Sequence, residues 1–379
     1  MLADVFHQPH AQQLIQRAIT AERVPHAYLF HGPDGVGTEL LAHGLAQRLL
    51  CAAPVERPLD AATAAAIGLP ALHDACGTCE DCRFVAAGTH PDLHLVYRQL
   101  SREHPDAEVR KRKALEIGID VLRTFVIEEA GRTSRRGRRK LFIIREADRI
   151  TGPAQNALLK TLEEPPGETV IVLLAQSADR LMPTTLSRCQ AVRFDALPTE
   201  FVRERLANAC AELPPEQLDW YARCANGSIG AALRHAEDDL FGLNQRLTPG
   251  FADFTAPGRR RPEVIEKAWT EEAKALGERY RKRAPEITDT ESQRQAYGTI
   301  MRLAATWFAD ALHVRAGNAA GVVNTSASKA LARAAGEVTF ERSAESIQRL
   351  TLAEYQLDVN ANTQLCIETL VSELAAIDH

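Results

Sequence analysis

Residues 26–50 read HAYLFHGPDGVGTELLAHGLAQRLL. An apolar stretch, Ala27–Phe30, runs into Gly32, Gly35 and Gly37, and then into a segment in which Leu41, Leu45 and Leu49 recur every four residues. Strand, glycine-rich loop and helix in that order form the setting of a phosphate-binding loop, where glycines let backbone N–H groups curl around an anion. Set against the pattern G-x-x-x-x-G-K-[ST], the chain keeps Gly32 and Gly37 but carries Thr38 in place of the lysine and Glu39 in place of the metal-binding hydroxyl. The cradle is intact in pattern and its two charge-bearing positions are altered.

The surrounding chain gives that stretch a domain. Further strand candidates are Asp92–Val96, Leu141–Ile144, Val170–Leu174 and Ala191–Phe194, several of them near-continuous apolar runs of the kind a parallel sheet buried on both faces requires. Helical patterns lie between them at Leu40–Leu50, Gly118–Glu129 and Pro153–Leu162. This predicts a three-layer α/β domain over 1–197, closed by ALPTE (Ala196–Glu200) with Thr199 as the N-cap of the next helix. From there the periodicity is helical, with a small helical segment expected over 198–245 and an all-helical domain over 246–379. Thr248–Pro262, rich in Pro and Gly, reads as a linker or irregular connection. Residues 53–72 (Ala- and Pro-rich) and 98–116 (charged) read as insertions.

Composition narrows the class. With 379 residues the chain exceeds one typical domain, and 45 % hydrophobic residues can fill real cores. The formal net charge of −5 means that any contact with nucleic acid must be local. No run approaches the roughly 18 apolar residues of a membrane span, and MLADVFHQPHAQQL has an early acid and no apolar core of a signal peptide. The expected compartment is the cytoplasm.

Of the eight cysteines, Cys51, Cys76, Cys79 and Cys82 stand apart, spaced C-x24-C-x2-C-x2-C, with Gly77 to turn the knuckle CGTCEDC. Four thiolates suit a closed structural zinc site without an open position for catalysis. An iron–sulfur cluster, a disulfide pair or simply clustered thiols are the alternatives. The remaining cysteines, Cys189, Cys210, Cys224 and Cys366, read as buried small hydrophobes.

A second nucleotide motif is altered as well. In KLFIIREADRIT (Lys140–Thr151) the strand ends where a P-loop protein carries a metal-holding acid and then a glutamate that orients water; here those positions are Arg145 and Glu146. The run GRTSRRGRRK (Gly131–Lys140) concentrates six cations in ten residues, making Arg135, Arg136, Arg138 and Arg139 candidates for phosphate contact, with a solvated loop as the plainer reading. Lys111, Arg112 and Lys113 form a smaller basic group of the same kind.

Taken in order, NALLKTLEEPP (Asn156–Pro166), LSRC (Leu186–Cys189), the four-cysteine group and the helical C-terminal part resemble the bacterial clamp-loader subunits, AAA+ proteins that load the DNA polymerase III sliding clamp. The resemblance runs along the whole chain and is densest over 24–40, 76–82 and 138–194. It implies an AAA+ core, a helical lid and a helical collar that closes a hetero-pentameric ring with gamma/tau and delta subunits, acting on the clamp and primed DNA. It also implies a lid arginine on the nucleotide, in a G-S-x-R pattern; GSIG (Gly227–Gly230) has Gly230 there. With Thr38, Arg145 and Gly230 at the three contact positions, the resemblance points to a subunit that binds no ATP. The retained Ser187, Arg188 and Cys189 imply an arginine finger, Arg188, given to a neighbour's ATP site, where its planar fork suits a transferring phosphoryl group. The competing readings are an active gamma/tau-like ATPase with an eccentric P-loop and a stand-alone zinc-binding DNA module.

Overall fold

In the computed structural model, the described residues are 1–112, 114–136, 139–255, 261–285, 287–359 and 361–376. They separate into two compact units, Met1–Pro198 and Thr199–His379.

The first unit is built on a five-stranded sheet. Its strands are β1 (Ala27–His31), β4 (Leu93–Val96), β5 (Lys140–Ile144), β6 (Thr169–Ala175) and β7 (Gln190–Arg193), in the order β4-β5-β6-β1-β7. All four pairings are parallel, with Leu29 opposite Leu173 and Ile143 opposite Val172. Every residue of β5 and β6 is buried, which is why these strands read as unbroken apolar runs rather than alternating ones. On one face Leu29, Phe142, Ile144, Ile171 and Leu173 pack with Val121, Leu122 and Val126 of the helical stretch 119–131 and with Leu158 and Leu162 of the helix Gly152–Glu163. On the other face helix α2 (Thr38–Leu50) lies against β1 and β6, burying Leu41 and Leu45 completely. Helix α1 (Pro9–Thr20) packs against β7 and buries Ile15. The parallel three-layer sheet expected from sequence is present.

The segment 53–72, expected as an insertion, is structured. Strands β2 (Val55–Pro58) and β3 (Ala71–Asp74) form an antiparallel hairpin around helix α3 (Ala61–Ile67). A buried carboxylate ties it to the N-terminal residues. Buried Asp74 accepts from the backbone N–H groups of Leu2 (3.1 Å), Ala3 (3.1 Å) and Ala75 (2.7 Å). Asp60 caps α3 by accepting from Ala62 N and Thr63 N, both at 3.0 Å.

Among the described residues of the second unit there are helices and no strands. The expected linker at Thr248–Pro262 is corrected. The helix Leu240–Thr255 runs through its first half with Pro249 inside it, and residues 256–260 lie outside the described residues. Packing overrides the breaker here. Phe251 and Phe254 are fully buried and each meets the Trp269 ring edge-on at 6.2 Å between centroids. Thr248 Oγ1 donates to the Asn244 carbonyl at 2.7 Å one turn back. The long helices Pro262–Arg283, Asp289–Arg315 and Phe340–Asp358 form the rest of the core, with Trp307, Ile300 and Ala304 fully buried. A polar cluster sits among them: buried Asn324 accepts from Trp220 Nε1 (2.9 Å) and Asn244 Nδ2 (2.7 Å) and donates to Asp310 (2.8 Å).

Candidate functional site

Gly32 and Arg145 follow β1 and β5 at the same, carboxyl-terminal edge of the parallel sheet, where α/β folds bind their ligands. Gly32 is required by close approach, since a Cβ there would stand 2.5 Å from the Phe194 carbonyl oxygen. Gly35 and Gly37 both hold positive φ, and Gly37 is the N-cap of α2. The loop thus turns through three glycines into the N-terminus of α2.

Its charged positions are joined to each other. Arg145 Nη2 donates to Glu39 Oε1, and His43 Nε2 lies 3.5 Å from the same oxygen. Burial pushes the Glu39 carboxyl up, but His43 and Arg145 outweigh it and hold it below its ordinary value. The Arg145 guanidinium stands 6.0 Å from the centroid of the Tyr97 ring. Glu146, in a left-handed conformation with φ 52°, pairs with Arg98 Nε at 3.0 Å. Thr38 is the first residue of α2. Gly230, in the second unit, is the second residue of the helix Ile229–Glu237, whose N-cap Ser228 accepts from Ala231 N.

The four cysteines converge. Cys51 ends α2, Cys76 follows β3, Cys79 is the N-cap of helix α4 (Glu80–Ala86), and Cys82 lies within α4. All four Sγ atoms lie within 4.8 Å of one another, with Cys51–Cys76 at 3.5 Å and Cys51–Cys79 and Cys76–Cys82 each at 3.9 Å. A tetrahedral ion with bonds of about 2.3 Å to sulfur sets its ligands about 3.8 Å apart, so this donor set fits one. Gly77, with φ 80°, makes the left-handed turn of the knuckle. Backbone N–H groups aim at the sulfurs: Cys76 N at Cys51 (3.3 Å), Thr78 N and Cys79 N at Cys76 (3.4 and 3.3 Å), and Cys82 N at Cys79 (3.4 Å). Those of Cys79 and Thr78 bring the Cys76 thiol down to about 6, while burial pushes Cys82 up; holding all four as thiolates in this volume would need a cation. Gln47 Nε2, donating to the Cys82 carbonyl at 3.2 Å, ties α4 to α2.

Arg188 lies between the short helix Pro183–Leu186 and β7. Its Nε donates to Glu163 Oε1 at 2.6 Å, its Nη2 to the same oxygen, and its Nη1 to the Thr184 carbonyl at 2.7 Å and to Ser187 Oγ at 3.4 Å. Ser187 Oγ donates to the Thr184 carbonyl at 3.2 Å. Cys189 packs against the sheet core, and burial pushes its thiol up to about 11.

The basic run is largely committed within the unit. Arg136 pairs with Glu80 (2.6 Å) and Asp81 (2.5 Å) of α4, and Arg139 pairs with Glu168 (3.2 Å). Lys140 is buried and donates to the carbonyls of Glu129 (2.7 Å), Ala130 (2.6 Å) and Arg132. Arg135 is exposed and has no ion-pair partner among the described residues, and Arg138 lies outside them, as does Lys113. Lys111 and Arg112 pair with Glu108 (2.6 Å) and Asp120 (2.7 Å). Sequence reasoning missed the residue that shapes this loop. Asp92, 1 % exposed, accepts from Ser134 Oγ (3.0 Å), Arg135 N (2.8 Å) and Arg136 N (2.9 Å). Its signal was hidden because it read as the first residue of a strand. Glu163 was likewise passed over within NALLKTLEEPP, since nothing local distinguishes it from Glu164.

A sequence profile described as DNA polymerase III, delta subunit, matches residues 7–198, half of the chain. The chain belongs to that family. Its relatives include the DNA polymerase III subunits delta' of Bacillus subtilis, 30 % identical over 234 residues, and of Pseudomonas aeruginosa, 34 % identical over 236 residues. Each of these matches spans 62 % of this chain, but only 60 % and 62 % of the two relatives. A solved DNA polymerase III gamma subunit-related protein of Thermotoga maritima is 20 % identical, with 97 % of this chain and 98 % of that one covered at a TM-score of 0.44.

Proposed function

We propose that the chain is a delta-prime type subunit of a DNA polymerase III clamp loader, a non-hydrolysing stator that helps load the sliding clamp onto primed DNA. It would sit in a hetero-pentameric ring with gamma/tau and delta subunits and give Arg188 to the ATP site of a motor neighbour. Residues 1–197 would be the AAA+ core, 198–245 the lid and 246–379 the collar, with zinc on Cys51, Cys76, Cys79 and Cys82 as a structural staple of the core and the cytoplasm as the working compartment. Family membership and relatives named delta' support the role.

One observation carries the non-hydrolysing part. Glu39 and Arg145 stand where a P-loop protein needs a metal-binding hydroxyl and a metal-holding acid, and they neutralise each other across the cradle. The gamma/tau-like reading would need both positions free for magnesium. Ser187 and Cys189 would act as supports of Arg188, the first through Thr184 and the second by anchoring the backbone in the core.

The experiment has two arms. Calorimetric titration of the isolated chain with ATP and magnesium should give no specific heat. In the reconstituted loader, Arg188→Ala should leave assembly intact and remove the share of ATP hydrolysis belonging to one site, since such a finger is worth about a thousandfold or more at its site. Arg188→Lys should behave nearly like alanine, because a point charge on a flexible stem lacks the planar fork. Magnesium-dependent turnover by the chain alone, or unchanged hydrolysis with Arg188→Ala, would refute the proposal.

A further inference from the structure

We propose that Glu163 is a positioning residue for Arg188, fixing the guanidinium in the orientation in which it meets a neighbour's nucleotide. The inference rests on the reading of Arg188 as a finger acting in trans. Arg188 itself stands on a connecting segment, and an arginine with a long flexible stem samples many rotamers unless it is held. Glu163 is on a rigid element. It is the last residue of the helix Gly152–Glu163, whose Ala154, Leu158 and Leu162 are fully buried against the sheet.

The contacts have the form of a mount. Nε and Nη2 both donate to Glu163 Oε1, and Nη1 turns to the Thr184 carbonyl at 2.7 Å, so the guanidinium plane is fixed from two sides. Beneath it, Cys189 anchors the adjoining backbone in the core. The helix end adds the negative pole of its dipole to the carboxylate, which favours a cation at this spot. The mount does not consume the group. A guanidinium has five N–H donors, and even with the long 3.4 Å contact to Ser187 Oγ these contacts use four. The Arg188 side chain stays 29 % exposed and the Glu163 side chain 49 %. A half-exposed pair of this kind contributes little to folding. Its consequence lies in orientation, which is what a transition-state contact depends on.

The test uses the reconstituted loader with Glu163→Ala, Glu163→Gln, Arg188→Ala and the double variant Glu163→Ala/Arg188→Ala. The component of DNA-stimulated ATP hydrolysis that Arg188→Ala removes is the signal. Glu163→Ala should lower kcat of that component by up to about a hundredfold, the scale of a misaimed catalytic contact, while KM for ATP, ring assembly and the thermal unfolding of the free chain stay unchanged. Glu163→Gln keeps an acceptor oxygen and should fall between Glu163→Ala and the wild type. The double variant should be no worse than Arg188→Ala, because the two residues act as one unit. If Arg188→Ala lowers hydrolysis but Glu163→Ala leaves it unchanged or raises it, the carboxylate is a bystander or a restraint and the inference fails on its own. If Arg188→Ala is itself silent, the finger reading fails and takes the role of Glu163 with it.

Discussion

If the Glu39–Arg145 pair is what closes the cradle, then undoing it and restoring the missing lysine should open a nucleotide site. The perturbation is Thr38→Lys, Glu39→Ser and Arg145→Asp in one chain. The cost to folding should be small: the two side chains are 43 % and 38 % exposed, and an ion pair at such a surface is worth at most about 1 kcal/mol. For a unit of this size that is a fall in Tm of roughly 2–4 °C. The gain is larger. An ammonium 4 Å from a phosphate, at an effective dielectric near 20, contributes on the order of 4 kcal/mol before solvation. At 1.4 kcal/mol per decade that is close to a thousandfold in Kd. The cradle backbone is already shaped by Gly32, Gly35 and Gly37. The assay is calorimetric titration with ATP and magnesium, circular dichroism confirming the fold, and Glu39→Ser/Arg145→Asp without the lysine as a control that binds far more weakly. A folded triple variant that binds no ATP would show that the loop backbone cannot hold a phosphate. Wild-type protein binding as tightly as the triple variant would show that the pair closes nothing.

Three further outcomes follow from the same geometry. Elemental analysis should find one zinc per chain, and Cys79→Ser or a chelator should lower the Tm of the core unit, because a structural ion's binding energy is folding energy; absence of metal, or an iron absorption band, would overturn the assignment. Asp92→Asn should destabilise the core unit by about 2 kcal/mol or more, as three charge-assisted hydrogen bonds lose their anion, and a change within experimental error in urea unfolding would refute the role given to this carboxylate. Burial raises the Asp92 carboxyl, yet the N–H groups of Arg135 and Arg136 and the Ser134 hydroxyl more than offset it and hold it below the ordinary value of about 3.9. Its folded-state value being depressed, this stabilisation is present above the unfolded value and is lost as pH falls below about 4 through the folded one, a loss that the Asn variant should not show. Finally, if loop 131–140 meets DNA, Arg135→Ala should reduce the salt dependence of DNA binding by the loader by about one unit of slope; Arg136→Ala, which breaks pairs to Glu80 and Asp81 beside the cysteine cluster, should show first as a lower Tm.

What the sequence determined by itself is whatever local chemistry encodes. A parallel sheet buried on both faces needs unbroken apolar strands, so β1, β5 and β6 announced themselves. Two tight C-x2-C spacings force three sulfurs together whatever else the chain does, and the four-cysteine site was legible for that reason. Altered letters at Thr38, Glu39 and Arg145 were visible as departures from a pattern. Their pairing was not, because Glu39 and Arg145 are 106 residues apart and meet only across the sheet edge. The same limit hid the mount of Arg188 on Glu163, 25 residues away, and the capture of the basic loop by Asp92. It also hid the hairpin β2–β3, which buried Asp74 ties to the N-terminal residues, and the helix through Pro249, where Trp269 supplies the burial that a proline-containing segment lacks on its own. Propensity and spacing act over a few residues; a charge's partner and an aromatic ring's packing surface are supplied by whatever the tertiary fold brings alongside.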